Sequence, residues 1–400
     1  MSNRTAVISG ASIAGLSTAW WLSRTGWEVT VIERAAQFRD GGQNVDIRGV
    51  ARDVLRRMDL FEAVAARNTT ETGTVLVDAQ GAVTVELPSD GAGGATAELE
   101  ILRGDLARTL LDHLPDDVHF VYGDSIAEVV DTSDGVAVRT AGGLDLQADL
   151  LVVAEGVRSR TRSLVFREDE VDVRDLDVTM VFGTIPRTPG DDDRWRWHNA
   201  VRGRQIHLRP DPYGTIRAIL AYSPGDDVLE AGREQMLALV RARYADAGWE
   251  APRILDAFET SPDVYVDQLQ QIRMTTWHRG HVVMAGDAAW CVTPMGGGGA
   301  SLALTAGYVL AAELAGSDET EMALAAFEAW MRPLVEDVQD LPRGLKAFAY
   351  PQTRPGLAVR GVVDRLMTSR PFRPLTAKLT QVAETDRALP EIRAFGGRSG

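Results

Sequence analysis

One stretch constrains this chain more than any other: Gly10-Ala11-Ser12-Ile13-Ala14-Gly15. It follows a short apolar run at 5–9, which reads as a buried strand, and opens an apolar helical pattern over 13–25; a second strand pattern at 28–33 completes the unit. A βαβ crossover of this kind joins parallel strands, so the chain is expected to build a parallel sheet. At such a turn glycines permit tight turning and close backbone approach, and the amides at the helix start can carry a pyrophosphate. Ser12 stands in the place of the middle glycine and, although the smallest polar substitute, is expected to strain that approach. Glu33 lies 18 residues after Gly15 at the end of the second strand, where a carboxylate binds ribose hydroxyls. Arg34 beside it offers a contrary option, since an arginine there can meet the 2′-phosphate of NADP. A tight turn in another kind of parallel-sheet protein, with Glu33 a solvated strand end, fits the same residues. The motif by itself names no cofactor.

The chain has 400 residues, 45% of them hydrophobic, enough for more than one lobe, since single cores stop growing at roughly 250 to 300 residues. Lys and Arg total 42 against 57 Asp and Glu, and the net charge of −15 argues against a nucleic-acid partner, which needs clustered cations. The single cysteine, Cys291, allows no internal disulfide and offers no metal-ligand spacing, so no metal site and a cytoplasmic location are expected. The first residues run directly into a strand rather than a signal peptide. Later apolar stretches are interrupted by Gly, Ser, Asp or Pro before the ~18 residues a spanning helix needs, so no integral membrane segment is expected.

Along the chain, a polar glycine-containing loop at 40–49 precedes a helix around 51–58, and alternating stretches at 73–77 and 82–87 form a hairpin about Gln80-Gly81. Residues 150–154 are continuously apolar, as in a strand buried on both faces. Long alternating strands, notably 205–209 and 215–222, occupy 179–268 with one helix near 232–247. Another buried strand at 281–285 is followed by a glycine cluster and a small-residue helix over 301–314. The pattern divides into a first lobe at 1–178, with a small hairpin about 71–97, a β-rich lobe at 179–268, a return segment of the first lobe at 269–345, and a helical C-terminal segment at 346–400.

Two further segments add to the glycine turn: ADLLVVAEGVRSRTR at 148–162 and HVVMAGDAAWCVTPMGGGGASLAL at 281–304. In this order and spacing the three resemble the signatures of the FAD-dependent aromatic hydroxylases, the flavoprotein monooxygenases with the para-hydroxybenzoate hydroxylase fold, over most of residues 3–340. The resemblance implies an α/β protein with a Rossmann-type FAD-binding lobe, a mainly β-sheet substrate lobe and C-terminal helices. By position, Gly286 and Asp287 look like the pair whose aspartate binds the ribityl or ribose part of FAD. Pro294 and Gly296, Gly297, Gly298 and Gly299 resemble the loop that approaches the isoalloxazine ring. Independently of the family, a carboxylate accepts hydroxyl bonds, and glycines at a helix start present N–H groups to an anion. A flexible linker and an ordinary helix cap are the plain readings of the glycine run and of Asp287. The family's Asp-Gly pair is Glu155-Gly156 here, one methylene longer, with Arg158, Ser159 and Arg162 keeping the polar pattern or forming a solvated basic turn.

The likeness is greatest to tetracycline-modifying and polyketide-tailoring flavin monooxygenases. Residues 41–49, GGQNVDIRG, resemble their Gly-Gly loop with an aspartate, and Arg103 in ILRGDL matches an arginine that contacts FAD. Asp46 and Arg103 thereby join Gly10, Ser12, Ala14, Gly15, Glu33 and Arg34 as expected cofactor residues. Arg48 is expected to receive NAD(P)H or hold substrate, although a plain loop ion pair with Asp46 fits as well. The resemblance implies that NADPH or NADH reduces FAD, that O2 forms a flavin C4a-hydroperoxide, and that one oxygen atom passes to a small aromatic or polyketide-like substrate. Few protein groups need act as acid or base, and the sequence identifies none. His207, Arg217 and Tyr222 on the alternating strands are candidate pocket residues, set against a purely structural role, and Trp195, Trp197 and His198 could line an entrance. A flavin-dependent reductase of the same superfamily, a flavoprotein that shelters an intermediate without turnover, and a flavin-free NADP sensor are the alternatives. Nothing in the sequence fixes an oligomeric state.

Overall fold

The computed structural model describes residues 4–69, 71–87, 99–225, 228–229, 231–368, 385 and 387–392. The βαβ unit is present as strand Arg4–Ser9, helix Ile13–Arg24 and strand Trp27–Glu33. It forms the middle of a six-stranded sheet in the order His278–Arg279, Val282–Met284, Leu150–Val153, Arg4–Ser9, Trp27–Glu33, His119–Tyr122, parallel except for the first pair. Leu150–Val153 and Val282–Met284 are buried throughout, as continuous apolar runs must be when both faces of a sheet are covered. The first lobe is therefore assembled from segments far apart in the chain.

A seven-stranded sheet forms the other wall, in the order Tyr265–Met274, Val171–Pro186, Thr215–Tyr222, Arg204–Pro210, Trp195–Ala200, Thr74–Val77, Val83–Leu87. The expected hairpin about Gln80-Gly81 forms the edge of this sheet, with Thr74–Val77 running parallel to Trp195–His198. Residues 88–97, the remainder of that expected segment, lie outside the described residues. Val171–Pro186 and Tyr265–Met274 pair along a ribbon that spans the sequence boundaries at 178/179 and 268/269, with a register shift between Asp175 and Thr179. The ribbon ties the lobes together: Ile272 and Met274 lie in the core of the first lobe, while Val181 and Ile185 lie in that of the second. One face of the seven-stranded sheet is covered by helices Arg233–Tyr244 and Ala251–Thr260. The other looks toward the first lobe.

The small-residue helix extends over Gly299–Gly316 and crosses Ile13–Arg24 closely; a Cβ at Gly307 would come within 2.5 Å of Ser17 Oγ, which itself donates to Leu304 O at 2.9 Å. The sequence suggests that Gly and Ser interrupt this stretch, yet its 18 residues form the one described helix long and apolar enough to cross a membrane. Most of it is buried between Ile13–Arg24 and Thr320–Gln339, because small residues are what allow two helices to touch. After Thr320–Gln339 come helices Leu345–Ala349 and Arg354–Met367. Pro355 sits in the first turn of the last helix, where a missing N–H costs nothing.

Candidate functional site

The glycine turn is built on contacts that no side chain would permit. Gly10 has φ +107°, and a Cβ there would lie 2.4 Å from Ala154 O, at the end of Leu150–Val153. A Cβ at Gly15 would lie 1.9 Å from Gly10 O, inside the turn itself. Ser12 has φ −111° and ψ −173°, ordinary extended backbone. Its hydroxyl is exposed and makes no cap bond, so the first amides of Ile13–Arg24 have no side-chain acceptor. Glu33 accepts from Ala11 N at 2.9 Å and Ala35 N at 2.8 Å, holding the turn against the end of its strand, while Arg34 is exposed beside it.

The second motif faces inward. Glu155 accepts from Ser9 Oγ at 2.5 Å, Ser159 Oγ at 2.7 Å, Thr161 Oγ1 at 2.5 Å and Thr161 N at 3.1 Å. Its extra methylene thus serves a carboxylate that binds the first motif to the second. Arg162 is buried and donates to Ala288 O and Val157 O, both at 2.9 Å, which joins the second motif to the third. Arg158 is half exposed and meets Asp267 Oδ1 on the ribbon at 3.3 Å. The segment is a structural clamp through Glu155, Ser159 and Arg162, with Arg158 and Arg160 facing outward.

The third motif closes on the first. Gly286 has φ +62°, and a Cβ there would sit 2.8 Å from the Ala14 methyl. Asp287 opens the short helix Asp287–Trp290 and is solvent-accessible although recessed between the lobes. Burial pushes its carboxyl up, against the opposing pull of the Arg103 guanidinium, and Asp267 adds to the rise. Pro294 lies in the turn of helix Thr293–Gly296, and Gly297 and Gly298, at φ +68° and +70°, lead into Gly299–Gly316. The glycine run is an ordered turn between two helices, unlike a flexible linker.

The 40–49 loop clasps the start of helix Arg103–Asp112. A Cβ at Gly104 would lie 1.5 Å from Asp40 O, one at Gly42 would lie 2.9 Å from Arg103 Cβ, and Arg103 N donates to Gln43 O at 2.9 Å. Arg103 itself projects exposed toward Asp287. Asp46 and Arg48 form an ion pair at 2.9 Å, and Arg48 N donates to Ser301 Oγ at 2.9 Å, which docks the loop on the helix after the glycine run.

On the facing sheet the structure separates the three pocket candidates. His207 and Arg217 are on the side toward the first lobe, whereas Tyr222 is on the opposite side, fully buried against Tyr244. His207 stacks on Trp197 at 4.6 Å, and its Nδ1 accepts from Trp195 Nε1 at 3.1 Å, so Nε2–H donates to Gln205 Oε1 at 3.1 Å. Burial, reinforced by Arg209 and Arg360, pushes it down to about 3, so the ring is neutral and both nitrogens are committed within the protein. Arg217 donates to Asp211 Oδ2 at 2.9 Å and Thr184 Oγ1 at 2.7 Å. His198 points to the helix-covered face, where Nδ1 meets Val77 O at 3.0 Å.

Arg209, Glu71, Glu100 and Tyr265 on or against this sheet escape sequence reading. Arg209 shares a face with His207 and donates to Glu71 Oε2 at 2.9 Å and Glu100 Oε1 at 2.6 Å, all three being buried. Two carboxylates on one guanidinium in a dry site favour retaining a proton, and burial pushes Glu71 up to about 7 against the pull of Arg209. Tyr265 stacks on Phe182 at 4.8 Å. Strand alternation from His207 would have found Arg209; its partners and the Tyr265–Phe182 register have no local signal.

The FAD binding domain family matches residues 3–338. An uncharacterised protein of Mycobacterium tuberculosis is 34% identical over 338 residues, covering 83% of this chain and 91% of its own. The flavin-dependent monooxygenase eupH of a Phoma species is 33% identical, covering 89% of this chain and 90% of its own. Among solved structures, tetracycline destructase Tet(51) is similar with a TM-score of 0.79 at 26% identity, covering 98% of this chain and 100% of that one. The meeting of three glycine-built segments, together with these matches, gives the conclusion that the chain belongs to the FAD-dependent aromatic hydroxylase family and is an FAD-dependent monooxygenase.

Proposed function

We propose that the protein consumes NADPH or NADH and O2 to insert one oxygen atom into a small aromatic or polyketide-like substrate held between its two walls. The observation that carries this reading is the convergence of Gly10, Gly15 and Gly286, each at a place that a Cβ would fill, with Asp287 recessed beside them and Arg103 exposed toward it. These residues fit FAD. When bound, FAD supplies the redox chemistry, taking hydride from the nicotinamide and activating O2.

In this reading the uncapped amides after Ser12 and Ala14 receive the pyrophosphate beside Gly10, Glu33 and Arg34 serve the adenosine end, and Asp287 orients ribityl hydroxyls. Arg103 supplies positive charge beside Asp287. The amides along Gly296, Gly297, Gly298 and Gly299, with Pro294, stabilise negative charge at the reacting end of the cofactor. Asp46 and Arg48 hold the glycine run and the 40–49 loop in register. The seven-stranded sheet covers the substrate and excludes water, which would otherwise divert reducing equivalents to hydrogen peroxide. His207 has no free nitrogen, so it positions Trp195 and Gln205 rather than moving a proton. The name of Tet(51), a tetracycline destructase, supports a substrate of the multi-ring or polyketide kind.

The test is NADPH and NADH oxidation in air by the FAD-loaded protein with a panel of phenols, indoles and polyketides. Acceleration by one class, with a hydroxylated product, is the expected result. Nicotinamide oxidation indifferent to every compound would contradict the reading, and saturation of a double bond without O2 would replace it with a reductase.

A further inference from the structure

The chemistry of the sheet wall says more about the substrate than the fold does, given the monooxygenase reading above. Its cleft side carries Met180, Phe182, Ile219 and Leu269 in one apolar cluster that also takes in Met295 of the glycine run and Tyr350 of the C-terminal segment. The reacting end of the cofactor site and this apolar face are therefore in contact. At the edge of the face, Tyr265 lies opposite Phe182 in the strand register, and their rings stack at 4.8 Å and 19°. Tyr265 is 41% exposed, a high value for an aromatic ring set between lobes. Its hydroxyl feels Arg103 from one wall and Asp267, Asp263 and Arg217 from the other. Burial pushes the phenol up to about 12, so it remains a neutral donor and acceptor.

Apart from Arg103, the cations around this seat are already matched. Arg217 pairs with Asp211 at 2.9 Å and Asp263 at 3.4 Å. Arg209 pairs with Glu71 at 2.9 Å and Glu100 at 2.6 Å, Arg158 with Asp267 at 3.3 Å, and Arg48 with Asp46 at 2.9 Å. Two of these four guanidiniums are held by two carboxylates each, so none of the four lacks an acidic partner. Arg103 stands across the cleft beside Asp287, on the cofactor's side. A carboxylate on the substrate would have to displace an existing acid or remain buried and unpaired, and an unpaired buried charge is strongly disfavoured.

We infer that the substrate enters uncharged, as a flat ring system seated against the Tyr265–Phe182 stack, and that an acidic group on it is rejected. Tyr265 and Phe182 supply dispersion and one hydrogen-bonding hydroxyl, and the paired arginines supply no free counter-charge.

The experiment is equilibrium binding to the FAD-loaded protein without any nicotinamide, read from the perturbation of the flavin visible spectrum. The probes are a naphthol and the same naphthol carrying a ring carboxylate. The naphthol is expected to bind at least about tenfold more tightly, a modest fraction of what an unpaired buried charge would cost. Asp263→Asn, which releases one partner of Arg217, should tighten the carboxylated probe about tenfold and leave the naphthol unchanged. Tyr265→Ala should weaken the naphthol about tenfold, with flavin content and thermal melting confirming that the variant is folded. Equal or tighter binding of the carboxylated probe by the unaltered protein overturns the inference, as does failure of both probes to perturb bound FAD. Because no turnover is read, this outcome is independent of whether the monooxygenase reading stands.

Discussion

The two walls of the cleft achieve their geometry differently. On the cofactor wall, Gly10, Gly15, Gly104 and Gly286 sit where a single added carbon would strike a backbone carbonyl or a methyl group, so the shape depends on atoms that are missing. On the sheet wall, Arg209 draws Glu71 and Glu100 from segments far away in the chain, and Arg217 pairs with nearby Asp211 and with the more distant Asp263, so the shape depends on charges that must be matched. The first kind of wall recognises a fixed cofactor by close backbone approach. The second leaves an apolar surface whose electrostatics are closed before any substrate arrives.

If close approach governs the cofactor wall, Gly10→Val should have the largest effect. Its side chain meets Ala154 O in a backbone conformation that a β-branched residue rarely adopts, and about 3 kcal/mol or more of stability should go with FAD retention. A yellow Gly10→Val protein with normal melting would break the comparison. On the other wall, Arg209→Met leaves Glu71 and Glu100 buried without their cation and should cost about 3–5 kcal/mol in urea unfolding. FAD should still bind the folded fraction, since none of these three residues touches the glycine turn.

The same cluster has a pH signature. Glu71 is raised from 4.5 to about 7 on folding, so the folded state binds the proton more tightly. Its contribution to stability is complete below pH 4.5 and is lost as pH rises through about 7, and Glu71→Gln should flatten the stability profile in that window. Glu328 shows the opposite sign. Burial raises its carboxyl, but hydrogen bonds from His278, Trp277 N, Arg332 and Thr276 outweigh this and bring it down to about 2. The stability it contributes is present above 4.5 and lost as pH falls toward 2; Glu328→Gln should remove about 1–2 kcal/mol at neutral pH, allowing for solvent screening, and flatten the acid limb. The smallest effect is expected at Tyr222, which is on the helix-covered face: Tyr222→Phe should leave the KM for any substrate within about twofold.

The cofactor wall was legible in sequence because its signals are local. The run at 5–9, the helix over 13–25 and the strand at 28–33 correspond to Arg4–Ser9, Ile13–Arg24 and Trp27–Glu33, since strand, turn and helix are each encoded within a few residues. The sheet wall was legible only in part. Alternation along Gln205, His207 and Arg209 gives one face, but the register that sets Arg204 opposite Tyr222 and Arg209 opposite Arg217 comes from packing. Residues opposite one another share a face, so Tyr222 follows Arg204 to the helix side while Arg217 follows Arg209 to the cleft. The hairpin at Thr74–Val77 and Val83–Leu87 was likewise visible as a hairpin, yet its place beside Trp195–His198 depends on a parallel pairing across more than a hundred residues of chain. Ser12 shows the converse: a residue that departs from the usual motif is accommodated because the backbone there is extended and does not require glycine.

The most direct test of the central claim is mass analysis of the product formed by the FAD-loaded protein with NADPH or NADH, an uncharged aromatic substrate and oxygen gas labelled with the heavy isotope. The account predicts one labelled atom per product molecule, with nicotinamide oxidised in step. A product without label, or nicotinamide oxidation that yields only hydrogen peroxide whatever the compound, would contradict it.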